Sequence, residues 1–137
     1  MPIGDVVATI LIAEDETGIR ELVALFLADL GYRVLTAANG EAALHLLDRH
    51  PEIDLLFTDV RLAGGADGFT LARQARSRRP DLALLYASAH IGVIDWPGWD
   101  NLQGGFLQKP FRLSALRQRV GEALARRTGS GPTRAGP

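Results

Sequence analysis

Five residues able to do chemistry each follow an apolar, strand-like run in this chain. Glu14 and Asp15 follow Val6–Ala13, Asp59 follows Ile53–Thr58, Ser88 follows Leu82–Ala87, and Lys109 follows Gly105–Gln108. Taken singly, each has an ordinary reading: acidic residues at a helix start, a turn aspartate, a loop hydroxyl, a surface ammonium. Taken together they share one structural slot, the carboxyl end of a strand. In an open parallel sheet that edge is where ligands bind. Carboxylates clustered without Cys or His nearby in sequence favour a hard cation, Mg2+ first. An ionised Asp is a competent nucleophile toward phosphorus and needs no general base. A hydroxyl and an ammonium can hold the remaining phosphoryl oxygens. Lys109 is the single lysine beside fourteen arginines. A compact ammonium suits that task better than a planar guanidinium fork.

The elements that must position these groups alternate. After the first strand, Ile19, Leu22, Val23, Phe26, Leu27 and Leu30 repeat at helical spacing, with Thr17 as N-cap and Gly31 as stop. Tyr32–Ala37 reads as a second strand, and Asn39-Gly40 opens a helix carrying Ala43, Leu44 and Leu47. A Gly-rich loop follows Asp59, then a helix from about Phe69 to Arg78. Leu113, Leu116, Val120, Ala123 and Leu124 mark a last amphipathic helix. The order βαβαβαβ, an irregular stretch, then βα argues a parallel sheet with helices on both faces.

The 137 residues leave room for one domain, and 47% hydrophobic content supplies its core. Fifteen basic residues against sixteen acidic ones make a poor general nucleic-acid binder. No run is long and apolar enough to span a membrane. The absence of cysteine removes disulfides and thiolate chemistry and suits the cytoplasm. The expected division is a domain over 1–127 and a disordered tail over 128–137, which is rich in Gly, Pro and Ser.

The ordered set Glu14-Asp15, Thr58-Asp59-Val60-Arg61-Leu62, Asp67-Gly68-Phe69, Ser88-Ala89 and Lys109-Pro110-Phe111 resembles the receiver domains of two-component response regulators, over residues 6 to 127. The resemblance implies a flavodoxin-like (βα)5 fold with a doubly wound parallel five-stranded sheet. It implies that Asp59 accepts a phosphoryl group from a histidine kinase or a phosphotransfer protein, so that the chain is a switch and not a conventional enzyme. Glu14, Asp15, Asp59 and the backbone carbonyl of Arg61 would hold Mg2+. Ser88 and Lys109 would contact the phosphoryl oxygens, and Phe106 would rotate inward behind Ser88. The Lys109-Pro110 bond is expected to be cis. Arg61 and His90 would line the path of attacking water, which predicts slow self-dephosphorylation.

The chain departs from that family between strands four and five. Most receivers have a helix there, but Gly92, Pro97, Gly98, Gly104 and Gly105 oppose one, so a short or irregular segment is expected. Trp96 and Trp99 either pack inward or form a partner surface, for a downstream protein or for self-association, and one is expected inward and one outward. A Mg2+ phosphohydrolase of the haloacid-dehalogenase type needs an acid two residues after the nucleophile, where this chain has Arg61. The alternative role is the receiver of a hybrid histidine kinase, acting in phosphorelay.

Overall fold

The computed structural model describes residues 8–62, 67–89 and 105–130, with side chains through 126. The five strands are β1 (Thr9–Ala13), β2 (Arg33–Ala37), β3 (Leu55–Asp59), β4 (Ala83–Ser88) and β5 (Gly105–Gln108). The helices are α1 (Thr17–Asp29), α2 (Gly40–Arg49), α3 (Gly68–Arg78) and α4 (Leu113–Ser130). All strand pairs are parallel, in the order β2-β1-β3-β4-β5. This is the expected flavodoxin-like sheet. The stretch expected to be short or irregular, with His90, Trp96 and Trp99, lies outside the described residues, as does 131–137. α4 runs through Ser130.

The period-2 alternation of a strand decides which core each side chain enters. Leu11, Leu56, Leu84 and Tyr86 face α2 and α3, where they meet Ala43, Leu47, Phe69 and Ala72. Ile10, Ile12, Leu55 and Leu85 face the opposite way, onto Val23 and Leu27 of α1 and Leu116 and Val120 of α4. A sheet covered on both faces must be apolar on both, and β1 is buried at every position.

Local chemistry sets the helix ends. Asn39 accepts a hydrogen bond from the Ala42 N–H at 2.8 Å and starts α2, and Asp67 accepts from the Thr70 N–H at 2.7 Å and starts α3. α1 closes on Gly31 at φ 104°, with the Tyr32 N–H bonding the Leu27 carbonyl and the Gly31 N–H that of Ala28. Its start corrects the sequence expectation: Glu16, not Thr17, is the N-cap residue, and it makes no side-chain capping bond. Thr17 is already helical because the Arg20 N–H bonds the Glu16 carbonyl at 2.9 Å.

Charge is unevenly divided. Eleven of the sixteen acidic residues precede Val60, and twelve of the fifteen basic ones follow it. α4, with exposed Arg117, Arg119 and Arg126, packs against β4 and β5, and α2, with exposed Glu41 and Asp48, packs against β1 and β2, whereas α3, with Arg73, Arg76 and Arg78, packs on α2 and β3.

Candidate phosphoacceptor and metal site

The parallel register brings the strand ends to one edge. Ala13 pairs with Ala37 and Thr58, Asp59 with Ala87, and Ser88 with Gln108. Residues just past those positions therefore converge. The Glu14 N–H donates to the Ala37 carbonyl at 3.0 Å, the Val60 N–H to Ala87 at 2.9 Å, and the Lys109 N–H to Ser88 at 2.8 Å. These bonds extend the ladder by one residue and hold the loop starts rigid.

Lys109 Nζ donates to Glu14 Oε1 at 2.8 Å and to Asp59 Oδ2 at 2.7 Å. The three side chains are largely buried, with 8% of Glu14, 12% of Asp59 and 16% of Lys109 exposed. The Asp15 carboxylate is exposed, and one oxygen each of Glu14, Asp15 and Asp59 lies within 4.8 Å of the others. The Glu16 N–H donates to Glu14 Oε2 at 3.1 Å and the Arg61 N–H to Asp59 Oδ1 at 3.3 Å. The peptide bond after Lys109 is cis, as the resemblance implied.

Three carboxylates face one ammonium. Burial pushes the Glu14 carboxyl above its ordinary range, against the pull of Lys109 and the Glu16 amide. Burial also draws the Lys109 ammonium down, but its bonds to Asp59 and Glu14 outweigh that and the net direction is up. Lys109 stays charged, and the uncompensated negative charge remains with the carboxylates. A set of hard oxygen donors with excess negative charge fits Mg2+.

The other residues singled out in the sequence are placed as follows. Ser88 is buried at the end of β4. Phe106 pairs with Tyr86 across the sheet and is half-buried against the α2–α3 core, where Phe69 stacks edge-on to Tyr86 at 4.9 Å. Arg61 is exposed and bridges to Asp67, closing the base of the loop between them.

Arg20 carried no explicit sequence signal, and Gly68 figured in the sequence only within Asp67-Gly68-Phe69. Arg20 Nη1 donates to the Glu14 carbonyl at 2.9 Å, from the second turn of α1. Gly68 lies so close to the acceptor that an added Cβ would sit 2.3 Å from the Asp59 carbonyl oxygen. The lean of helical side chains toward the helix start could have pointed to Arg20.

The response regulator receiver domain model matches residues 10–121. The chain belongs to this family. Receivers are phosphorylation-controlled components of two-component systems, and they bind Mg2+ at an acidic pocket. This receiver is 33% identical to the response regulator receiver protein CpdR of Brucella abortus over 84% of this chain and 95% of that protein. It is 34% identical to the sensor kinase CckA of the same organism over 85% of this chain but 12% of that protein. It superposes on a response regulator receiver protein from Sinorhizobium medicae with TM-score 0.79 and 31% identity, covering 88% of this chain and 96% of that one. The chain spans 12–26% of the length of the first curated relatives it matches. Among the described residues no helix is long and apolar enough to cross a membrane.

Proposed function

We propose that Asp59 is the phosphoacceptor of this receiver and that its donor is a phosphohistidine on a histidine kinase or a phosphotransfer protein. The observation that carries this reading is the Glu14–Lys109–Asp59 contact at the carboxyl edge of the sheet. An Asp59 carboxylate oxygen forms the new bond to phosphorus as the phosphorus–nitrogen bond breaks. The electron pair leaves with the imidazole, which takes its proton from solvent. Asp59 Oδ2 is tied to Lys109, while Oδ1 carries the longer contact to the Arg61 amide. Lys109 holds a full positive charge where charge builds up on the phosphoryl oxygens. The Ser88 hydroxyl is assigned as the second ligand of those oxygens, with Phe106 following its movement. Glu14, Asp15, Asp59 and the Arg61 carbonyl are the residues assigned to hold Mg2+, which when bound neutralises the phosphoryl group and the acceptor together.

Output is assigned to protein–protein contact, with 91–104 and its Trp96 and Trp99 as the docking segment. That assignment rests on their place in the sequence between Ser88 and Phe106. Similarity to CpdR over 95% of that protein supports a role as a receiver switch. The donor is expected to approach over α1, whose Leu22 and Leu25 are the large exposed hydrophobics among the described residues, at 54% and 71%.

The test is intact mass after incubation with a small phosphodonor and Mg2+. The wild-type chain gains one phosphoryl mass, and Asp59→Asn gains none. The full adduct in Asp59→Asn would remove Asp59 from the role.

A further inference from the structure

Asp15 is the exposed member of the acidic cluster and makes no side-chain hydrogen bond among the described residues. Its carboxylate is therefore placed by the backbone that carries it. Glu14 is held at four points. Its N–H belongs to the sheet through Ala37, and its two carboxylate oxygens are held by Lys109 and the Glu16 amide. The fourth point differs in kind. The Glu14 carbonyl is part of the peptide that leads into Asp15, and Arg20 Nη1 grips it at 2.9 Å. Arg20 Nη2 also reaches Thr17 Oγ1 at 3.5 Å. Its stem leaves α1 one turn after Glu16, and helical side chains lean toward the helix start, so the guanidinium comes to rest over the loop. A bond from a charged donor is stronger than one from a neutral one, and a rigid fork loses little freedom in making it.

We propose that Arg20 is a positioning residue for the cation site: by fixing the Glu14–Asp15 peptide it sets the affinity for Mg2+. This rests on the assignment of Glu14, Asp15 and Asp59 as the Mg2+ cluster. The alternatives make opposite predictions. A guanidinium near a cation site repels the cation, so an Arg20 that acted through charge alone would weaken Mg2+ binding, and its removal would tighten it. An Arg20 that orients the peptide strengthens binding, and its removal loosens it, as losses of residues that orient metal ligands do.

The experiment is titration of the protein with Mg2+ alone, read by calorimetry and by the amide shifts of Asp15 and Glu16, with thermal midpoints in EDTA alongside. Arg20→Met keeps a stem of similar bulk and removes both charge and donor. Its Kd for Mg2+ is expected to rise about tenfold. Arg20→Lys keeps the charge and one point of contact, and its Kd is expected to rise about threefold. If Arg20→Met does not fold, Arg20→Lys decides, since charge alone predicts no change in it. Unchanged or tighter binding in the folded variants overturns the proposal, as does a lower midpoint in EDTA with unchanged Kd. A wild-type protein that fails to bind Mg2+ overturns the cation-site assignment itself, a different and recognisable result.

Discussion

An acyl phosphate on Asp59 survives until water reaches it in line, so its lifetime depends on the side chains that stand over the acceptor. Arg61, two residues past Asp59, is exposed. His90 stands two residues past Ser88. Neither supplies a carboxylate or carboxamide to orient an attacking water, and both are bulky. The phosphorylated chain is expected to decay slowly, and an Arg61→Asn/His90→Glu variant at least ~10-fold faster, since a positioned base commonly contributes that much or more. Decay of the phosphorylated mass with time measures it, and equal rates would dispose of the idea. Tyr86 supplies a prediction of another kind. Burial pushes its phenol well above the ordinary value of about 10. The folded state then keeps its proton after the unfolded chain has lost it. This contribution to stability is whole below about pH 10 and is lost as pH rises beyond it. Tyr86→Phe removes that loss, so its thermal midpoint should fall less between pH 8 and pH 11 than the wild type's. Glu14, Asp15, Asp59, Ser88 and Lys109 were legible as a group because a strand's last residue is readable from sequence and parallel strands end at one edge. Arg20 was not, because its role depends on which way a helical side chain leans across a loop.

The elements hold Asp59 from behind as well as from the side. Gly68 opens α3, and its N–H bonds the Val60 carbonyl at 2.6 Å, so the helix start is drawn against the peptide that follows the acceptor. A methyl group there would meet the Asp59 carbonyl oxygen at 2.3 Å, and the obstacle is backbone, which cannot rotate aside. Gly68→Ala should destabilise the fold by about 1–3 kcal/mol, the usual cost of forcing an atom into packed space. It should also slow phosphorylation from a small donor, because Asp59 must shift to make room. A urea melt and a phosphorylation time course check the two parts, and a variant normal in both would show that α3 is not pressed on the acceptor. The strands were readable because buried parallel strands are short apolar runs, and β5 begins and ends where expected. Helix ends were less so. The first turn of α1 is set by the Arg20–Glu16 backbone bond and not by a capping side chain, so Thr17 gave a misleading cue.

At the scale of the whole molecule, a formal charge of −1 hides a separation between two helices: exposed Glu41 and Asp48 of α2 lie toward the β2 edge of the sheet, and exposed Arg117, Arg119 and Arg126 of α4 toward the β5 edge. Opposite charges spread over a domain this size exert their field as a pair of poles, screened beyond about 8 Å at physiological salt. Phosphotransfer from a charged donor should therefore slow steeply between 20 mM and 500 mM salt, by about tenfold in the second-order rate constant. A rate flat across that range would mean that the poles do not act on the encounter. The same separation gives the protein two faces toward any charged solid. A positively charged resin meets the acidic edge and a negatively charged one the basic edge, so at low salt near pH 6.3 the chain should be retarded on both, each time bound in the opposite orientation.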